Sequence, residues 1–140
     1  MANFNLAYAK TNHVEGGSKI SMVKEDRGNW TGGQVGIGVL IGSKFGVAAP
    51  TLSRFLGRTA TVNDMANLTL DTAIIIAKKG YWDIMQGDEI NDQEMAERIY
   101  DRGYNMGIKE AIKEAQKTLE IPETGNMDTL TLNALNFKKR

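Results

Sequence analysis

A carboxylate beside two glycines is the first feature of this chain that could do chemistry. Glu15 stands in the stretch His13-Val14-Glu15-Gly16-Gly17. Upstream, Phe4, Ala7, Tyr8, Thr11 and Val14 recur every three or four residues behind Asn3, a residue type suited to a helix N-cap. The spacing predicts an amphipathic helix that stops at Gly16-Gly17 and leaves Glu15 at its C-terminus. There the negative end of the helix dipole would disfavour ionisation, an environment that favours a protonated acid. A glycosidic bond needs such an acid to protonate the departing sugar oxygen. It also needs a second carboxylate or an activated water to meet the oxocarbenium-like transition state. Asp26 is the nearest such candidate downstream; Glu25 is its neighbour, and one of the two is expected to face inward. Gly16 and Gly17 would let a glycan chain approach the backbone closely. The competing reading of Glu15 is a solvated residue at a helix end.

The elements that must position these residues follow from punctuation and period. Seven of the 15 glycines lie between Gly28 and Gly46, a density that opposes a helix and predicts a loop or small hairpin lining a cleft. Pro50 fits the first turn of a short helix running to about Leu56 and closed by Gly57. After Thr61-Val62-Asn63-Asp64, the residues Met65, Leu68, Thr72, Ile75 and Ile76 predict one long helix that ends near Lys78-Lys79-Gly80. Asn91 or Asp92 opens another with Met95, Ile99 and Tyr100. Gly107 opens a third with Ile108, Ala111, Ile112, Ala115 and Leu119, and a last turn or two runs from Asp128 through Leu132 and Leu135. The expected fold is mainly α with a small glycine-rich β or loop excursion. Residues 1–140 read as one domain, and Gly87-Asp88 is the place for a subdomain boundary.

Composition narrows the function. The chain has 140 residues, enough for one domain with a real core. Lys+Arg and Asp+Glu are both 17, so no basic field draws it to nucleic acid or anionic lipid. With no cysteine and one histidine, a structural zinc site is excluded, and no metal or cofactor is expected. No run of about 18 apolar residues spans a membrane, and no secretory signal precedes Phe4, so the expectation is synthesis in the cytoplasm and export by another route. Oligomeric state is open.

Several short motifs occur in a fixed order: Glu15-Gly16-Gly17, then Asp26-Arg27-Gly28-Asn29-Trp30-Thr31-Gly32-Gly33, then Gly42-Ser43-Lys44-Phe45-Gly46, then Tyr81-Trp82-Asp83. In that order they resemble glycoside hydrolase family 108, lysozyme-like muramidases of phages and bacteria, some known as secretion activators. The segment from Ile90-Asn91-Asp92-Gln93 through Asn105-Met106-Gly107 to Thr131-Leu132-Asn133-Ala134-Leu135 is similar to the peptidoglycan-binding region that accompanies the family. The resemblance implies a lysozyme-like fold, a catalytic region over 1–86 and a wall-binding helical region over 87–140. The implied substrate is the peptidoglycan glycan strand, cut at the β-1,4 bond between N-acetylmuramic acid and N-acetylglucosamine, with Glu15 as the acid. Phage lysozymes of another family carry Glu, Asp and Thr at comparable spacing. By that analogy Asp26 positions or deprotonates water and Thr31 hydrogen-bonds it. The chain departs from the family at Ser18, where tyrosine is usual, and in Asn29-Trp30-Thr31-Gly32-Gly33. These departures motivate the alternative of a non-catalytic wall-binding or secretion-assisting module.

Other candidates carry two readings each. Trp30, Tyr81 and Trp82 either stack on sugar faces or pack in the core or at its rim. Asp101, Tyr104 and Asn105 fall at an expected helix junction near Gly103 and Gly107, where a polar side chain hydrogen-bonds an N-acetyl group or caps a helix. His13 reads as a surface residue. The run Gly36-Ile37-Gly38-Val39-Leu40-Ile41-Gly42 has the wrong spacing for a dinucleotide loop and lacks a βαβ context.

Overall fold

The computed structural model describes residues 1–12 and 19–138. Among them are seven α-helices: α1 (Phe4–Thr11), α2 (Ala49–Leu56), α3 (Val62–Ala66), α4 (Leu70–Ala77), α5 (Gln93–Met106), α6 (Ile108–Leu119) and α7 (Thr129–Lys138). Short 3₁₀ turns cover Arg27–Asn29 and Gly87–Glu89, and a π-helical turn covers Lys78–Trp82. The fold is mainly α. The glycine-rich excursion holds only isolated antiparallel bridges, Ser21 with Ser43, Trp30 with Leu40 and Lys44 with Val47.

The chain folds into two compact units, Val14–Ile76 and the pair of segments Met1–His13 and Ala77–Arg140. In the first, Ile41, Val47, Leu52, Met65, Leu68 and Ile76 form the buried cluster, with Ile20 and Phe45 packed against it. This core collects one face of each short helix and the return arm of the glycine-rich excursion. Lys44 is also buried there, and its ammonium donates to the Ala66 carbonyl at 2.7 Å, which satisfies the charge-bearing group. In the second unit α5 and α6 pack closely because Gly103 offers no Cβ where the Ile108 side chain crosses; a Cβ there would lie 2.5 Å from Ile108 Cδ1.

Local chemistry sets the helix ends. Asn3 accepts from the Leu6 amide at 3.2 Å and starts α1. Thr61 and Asp64 form a reciprocal capping box at α3. Asp92 caps α5, and Gly57, at φ 75°, closes α2 in the left-handed region. The first helix, α1, ends at Thr11 with Asn12 as its C-cap, and the Gly16-Gly17 stop expected for it lies outside the described residues. One expectation needs correction: the long helix expected from Asp64 to Gly80 is broken at Asn67-Leu68-Thr69. Asn67 ends α3, and the Thr69 hydroxyl accepts from the Thr72 amide at 3.2 Å, a side-chain cap that restarts the helix as α4. Beyond Ala77 the chain does not stop at Gly80 but widens into the π turn, which carries Trp82 into the core.

Candidate active site

Glu15, Gly16 and Gly17, with His13 and Ser18, lie outside the described residues. The surroundings of the other candidates are well defined, each within its own unit.

In the unit Val14–Ile76, Asp26 opens the turn Arg27–Asn29, and its Oδ1 accepts from the Gly28 amide at 2.9 Å. The side chain is exposed, and its second oxygen makes no hydrogen bond among the described residues, so it can take a proton from or orient a water. Asn29 then anchors the whole excursion. It is fully buried; its amide donates to the Val23 carbonyl at 3.0 Å, and its own carbonyl accepts from Ile41 and Gly42, both at 3.0 Å. Trp30 is half-buried, with its indole N–H donating to the Lys24 carbonyl at 2.8 Å. This bond fixes the ring plane while leaving part of the ring open to solvent. The Thr31 hydroxyl accepts from the Val39 amide at 2.8 Å, and the Thr31 amide donates to the Val39 carbonyl at 2.9 Å. Its hydroxyl hydrogen remains available to an acceptor. A Cβ on Gly38 would collide with Thr31 Oγ1, so this glycine, at φ 84°, is needed to seat the threonine.

In the other unit, six aromatic rings form a continuous box. Phe4 touches Tyr8, Trp82 and Tyr100, and Tyr81 packs on Tyr104 with centroids 4.9 Å apart. Tyr100 meets Tyr81 and Trp82 edge-on, at 6.5 and 6.0 Å. Trp82 is fully buried, its indole N–H donates to Asp88 at 2.9 Å, and Gly87 lies against its ring. Of its two readings it takes core packing, and no ring face is left for a sugar. Tyr81 and Tyr104 are half-buried at the edge of the box. Asp101, Tyr104 and Asn105 lie within α5, which runs through Gly103 to Met106; Asp101 caps nothing and accepts from the Thr11 hydroxyl at 2.9 Å. Asn105 donates back to the Asp101 carbonyl at 2.9 Å, leaving its amide oxygen exposed.

Asn12 carries no distinguishing signal in the sequence, yet it joins the aromatic box. It is 7% exposed, its amide to Tyr8 closes α1 at 2.8 Å, and its Oδ1 accepts from the Tyr100 hydroxyl at 2.6 Å. Among the described residues, Asn12 Nδ2 and the Tyr8 hydroxyl are buried without a hydrogen-bond partner. Burial also pushes the Tyr8, Tyr100 and Tyr104 hydroxyls above the ordinary phenol range, so they stay protonated. The α1 stripe hinted at this cluster, but the pairing with Tyr100, 88 residues away, has no local signal.

In sequence, residues 8–107 match the family Glycosyl hydrolase 108. The chain belongs to this family. A glycosyl hydrolase 108 chain is a glycoside hydrolase, and it acts on a glycan. The match takes in Glu15, Asp26, Thr31, Tyr81 and Tyr104 and ends where α6 begins, leaving α6 and α7 outside it. In fold, the chain is similar to the structure of Brucella abortus SagA, with a TM-score of 0.75 and 23% identity. The likeness covers 98% of this chain and 69% of that one. No curated protein matches the chain. Among the described residues no helix is long and apolar enough to cross a membrane.

Proposed function

We propose that this glycosyl hydrolase 108 chain is an N-acetylmuramidase that cuts the β-1,4 bond between N-acetylmuramic acid and N-acetylglucosamine in peptidoglycan, with Glu15 as general acid. The observation that supports the reading is the family match across residues 8–107, a span that includes Glu15-Gly16-Gly17. A glycosidic acid needs a partner on the other side of the sugar, and Asp26 has the right chemistry: an exposed carboxylate, held by one oxygen and with the other open. Thr31 supplies a seated hydroxyl five positions on. Trp30, Tyr81 and Tyr104 each show part of a ring for a sugar face, and Asn105 shows an amide oxygen for an acetamido N–H. Residues 87–140 are assigned to holding the wall polymer. The protein would work on the wall after release or dedicated export.

Glu15→Gln tests the assignment. It keeps shape and removes the transferable proton, so clearing of purified sacculi should vanish while the circular dichroism spectrum is unchanged. Clearing at the parent rate would remove Glu15 as the acid. Sacculus binding by the parent chain without release of reducing sugar would favour a non-catalytic wall-binding module.

A further inference from the structure

Two clefts lie along α5, within the unit formed by Met1–His13 and Ala77–Arg140, and Met95 and Arg98 line both. One, about 320 Å³, has a floor of Ile99, Ala111, Ala115, Leu119 and Leu135 from α5, α6 and α7. That is within the roughly 300–1,000 Å³ of small-ligand sites. The other, about 440 Å³, presents acidic side chains, Glu94, Glu97 and Asp101 among them.

The charged groups around these clefts are not equivalent. Arg102 is engaged by Glu114 through two bonds, 2.9 and 2.6 Å, and Lys10 by Glu97 at 2.9 Å. Asp101 accepts from Thr11. The Arg98 guanidinium, by contrast, makes no hydrogen bond or close ion pair among the described residues and acts only at longer range on Glu114, whose carboxylate is already taken by Arg102; the Glu94 carboxylate likewise makes none and acts at longer range on Lys10, already paired with Glu97. A guanidinium at the mouth of an apolar groove matches a carboxylate carried on small apolar groups, which it holds through two parallel hydrogen bonds. An acidic cleft on the other side of the same arginine matches an ammonium group on the same ligand.

We propose that these clefts bind a short peptide, its C-terminal carboxylate on Arg98, small side chains such as alanine methyls in the α5–α7 groove, and an ammonium group beside Glu94. This is the chemistry of a cell-wall stem peptide, so the inference rests on the peptidoglycan reading and gives residues 87–140 a peptide to hold, separate from the glycan. A fatty acid shares the carboxylate and apolar stem but has nothing for the acidic cleft.

The test is titration of the full chain with N-acetyl-lysyl-alanyl-alanine, its C-terminal carboxamide, and octanoate, followed by calorimetry and amide NMR shifts. The free acid should bind and shift α5–α7 resonances. The carboxamide should bind about tenfold more weakly or worse, as expected for loss of one charge-assisted pair, and octanoate should not bind. Arg98→Gln should bring acid and carboxamide to equal affinity, a change that unfolding would not produce, and Ala115→Phe should fill the groove and stop both. The proposal is overturned if acid and carboxamide bind alike to the parent chain, if Arg98→Gln keeps the discrimination, or if octanoate binds as tightly as the peptide. Glu15→Gln should bind the peptide like the parent. If that variant still cleaved sacculi, the acid assignment would fall while the peptide result stood on its own.

Discussion

At the scale of single residues, Asp26 and Thr31 each have a structural duty that must be separated from a catalytic one. Asp26→Asn keeps an oxygen for the Gly28 amide, so thermal stability should hold. If the carboxylate handles water, however, kcat on peptidoglycan should drop about 100-fold or more. A fall in stability with unchanged kcat would reduce Asp26 to a cap. Thr31→Ser retains the acceptor for Val39 and should stay active, whereas Thr31→Val loses it together with the hydroxyl proton. Asp26 could be singled out in the sequence as the nearest carboxylate candidate downstream of Glu15, whereas Thr31 stood out only through the analogy with the Glu, Asp and Thr series of phage lysozymes of another family. Trp82 could not be assigned that way. The same residue type serves sugar stacking and core packing, and only the π turn and Gly87 decide that its ring is enclosed. Gly87→Ala drives a methyl into that ring and should destabilise the chain by about 1–3 kcal/mol, read from urea midpoints.

At the scale of elements, caps and stop signals were legible because they act within four residues. Asn3, Pro50, Gly57, Asp92 and Gly107 all mark real helix ends. The long helix expected through Leu68 failed where a polar side chain offered the backbone a better partner than the continuing helix: the Thr69 hydroxyl, which accepts from the Thr72 amide. The same logic makes Gln116 a test of how α6 joins α7. This fully buried side chain donates to Asn126 O and Thr131 Oγ1 and accepts from the Gly125 amide, tying the connection to α6. Gln116→Leu is near in size but leaves these groups unpaired, at about 1–3 kcal/mol for each one that stays buried. Hydrogen exchange should speed first in residues 121–131. Exchange unchanged there would show that the connection is held by packing alone.

At the scale of the whole molecule, balanced charge hides a directional pH dependence. The Arg58 guanidinium holds the Asp64 carboxyl below its ordinary range, Gln93 and Lys10 do the same for Glu97, Arg102 for Glu114 and Thr131 for Asp128. Depressed folded-state values mean stability that is present above the unfolded carboxylate range, near about pH 4, and lost as pH falls through it. The buried tyrosines, Tyr8, Tyr100 and Tyr104, are raised by burial and work in the opposite sense: their contribution is full below about pH 10 and lost above it. The melting temperature should therefore form a plateau between about pH 5 and 9 and fall on both sides. A maximum near pH 3 would contradict these assignments. The mainly helical class and the family were readable from period and ordered motifs. The division into Val14–Ile76 and a unit built from both chain ends was not, because it depends on contacts such as Thr11 with Asp101 that join residues 90 positions apart.

The central claim is that Glu15 drives cleavage on the reducing side of N-acetylmuramic acid, and reducing-end analysis of digested peptidoglycan addresses it most directly. The parent chain should release fragments whose new reducing sugar is N-acetylmuramic acid, and Glu15→Gln should release none. New reducing N-acetylglucosamine ends, or an equal yield from the variant, would contradict it.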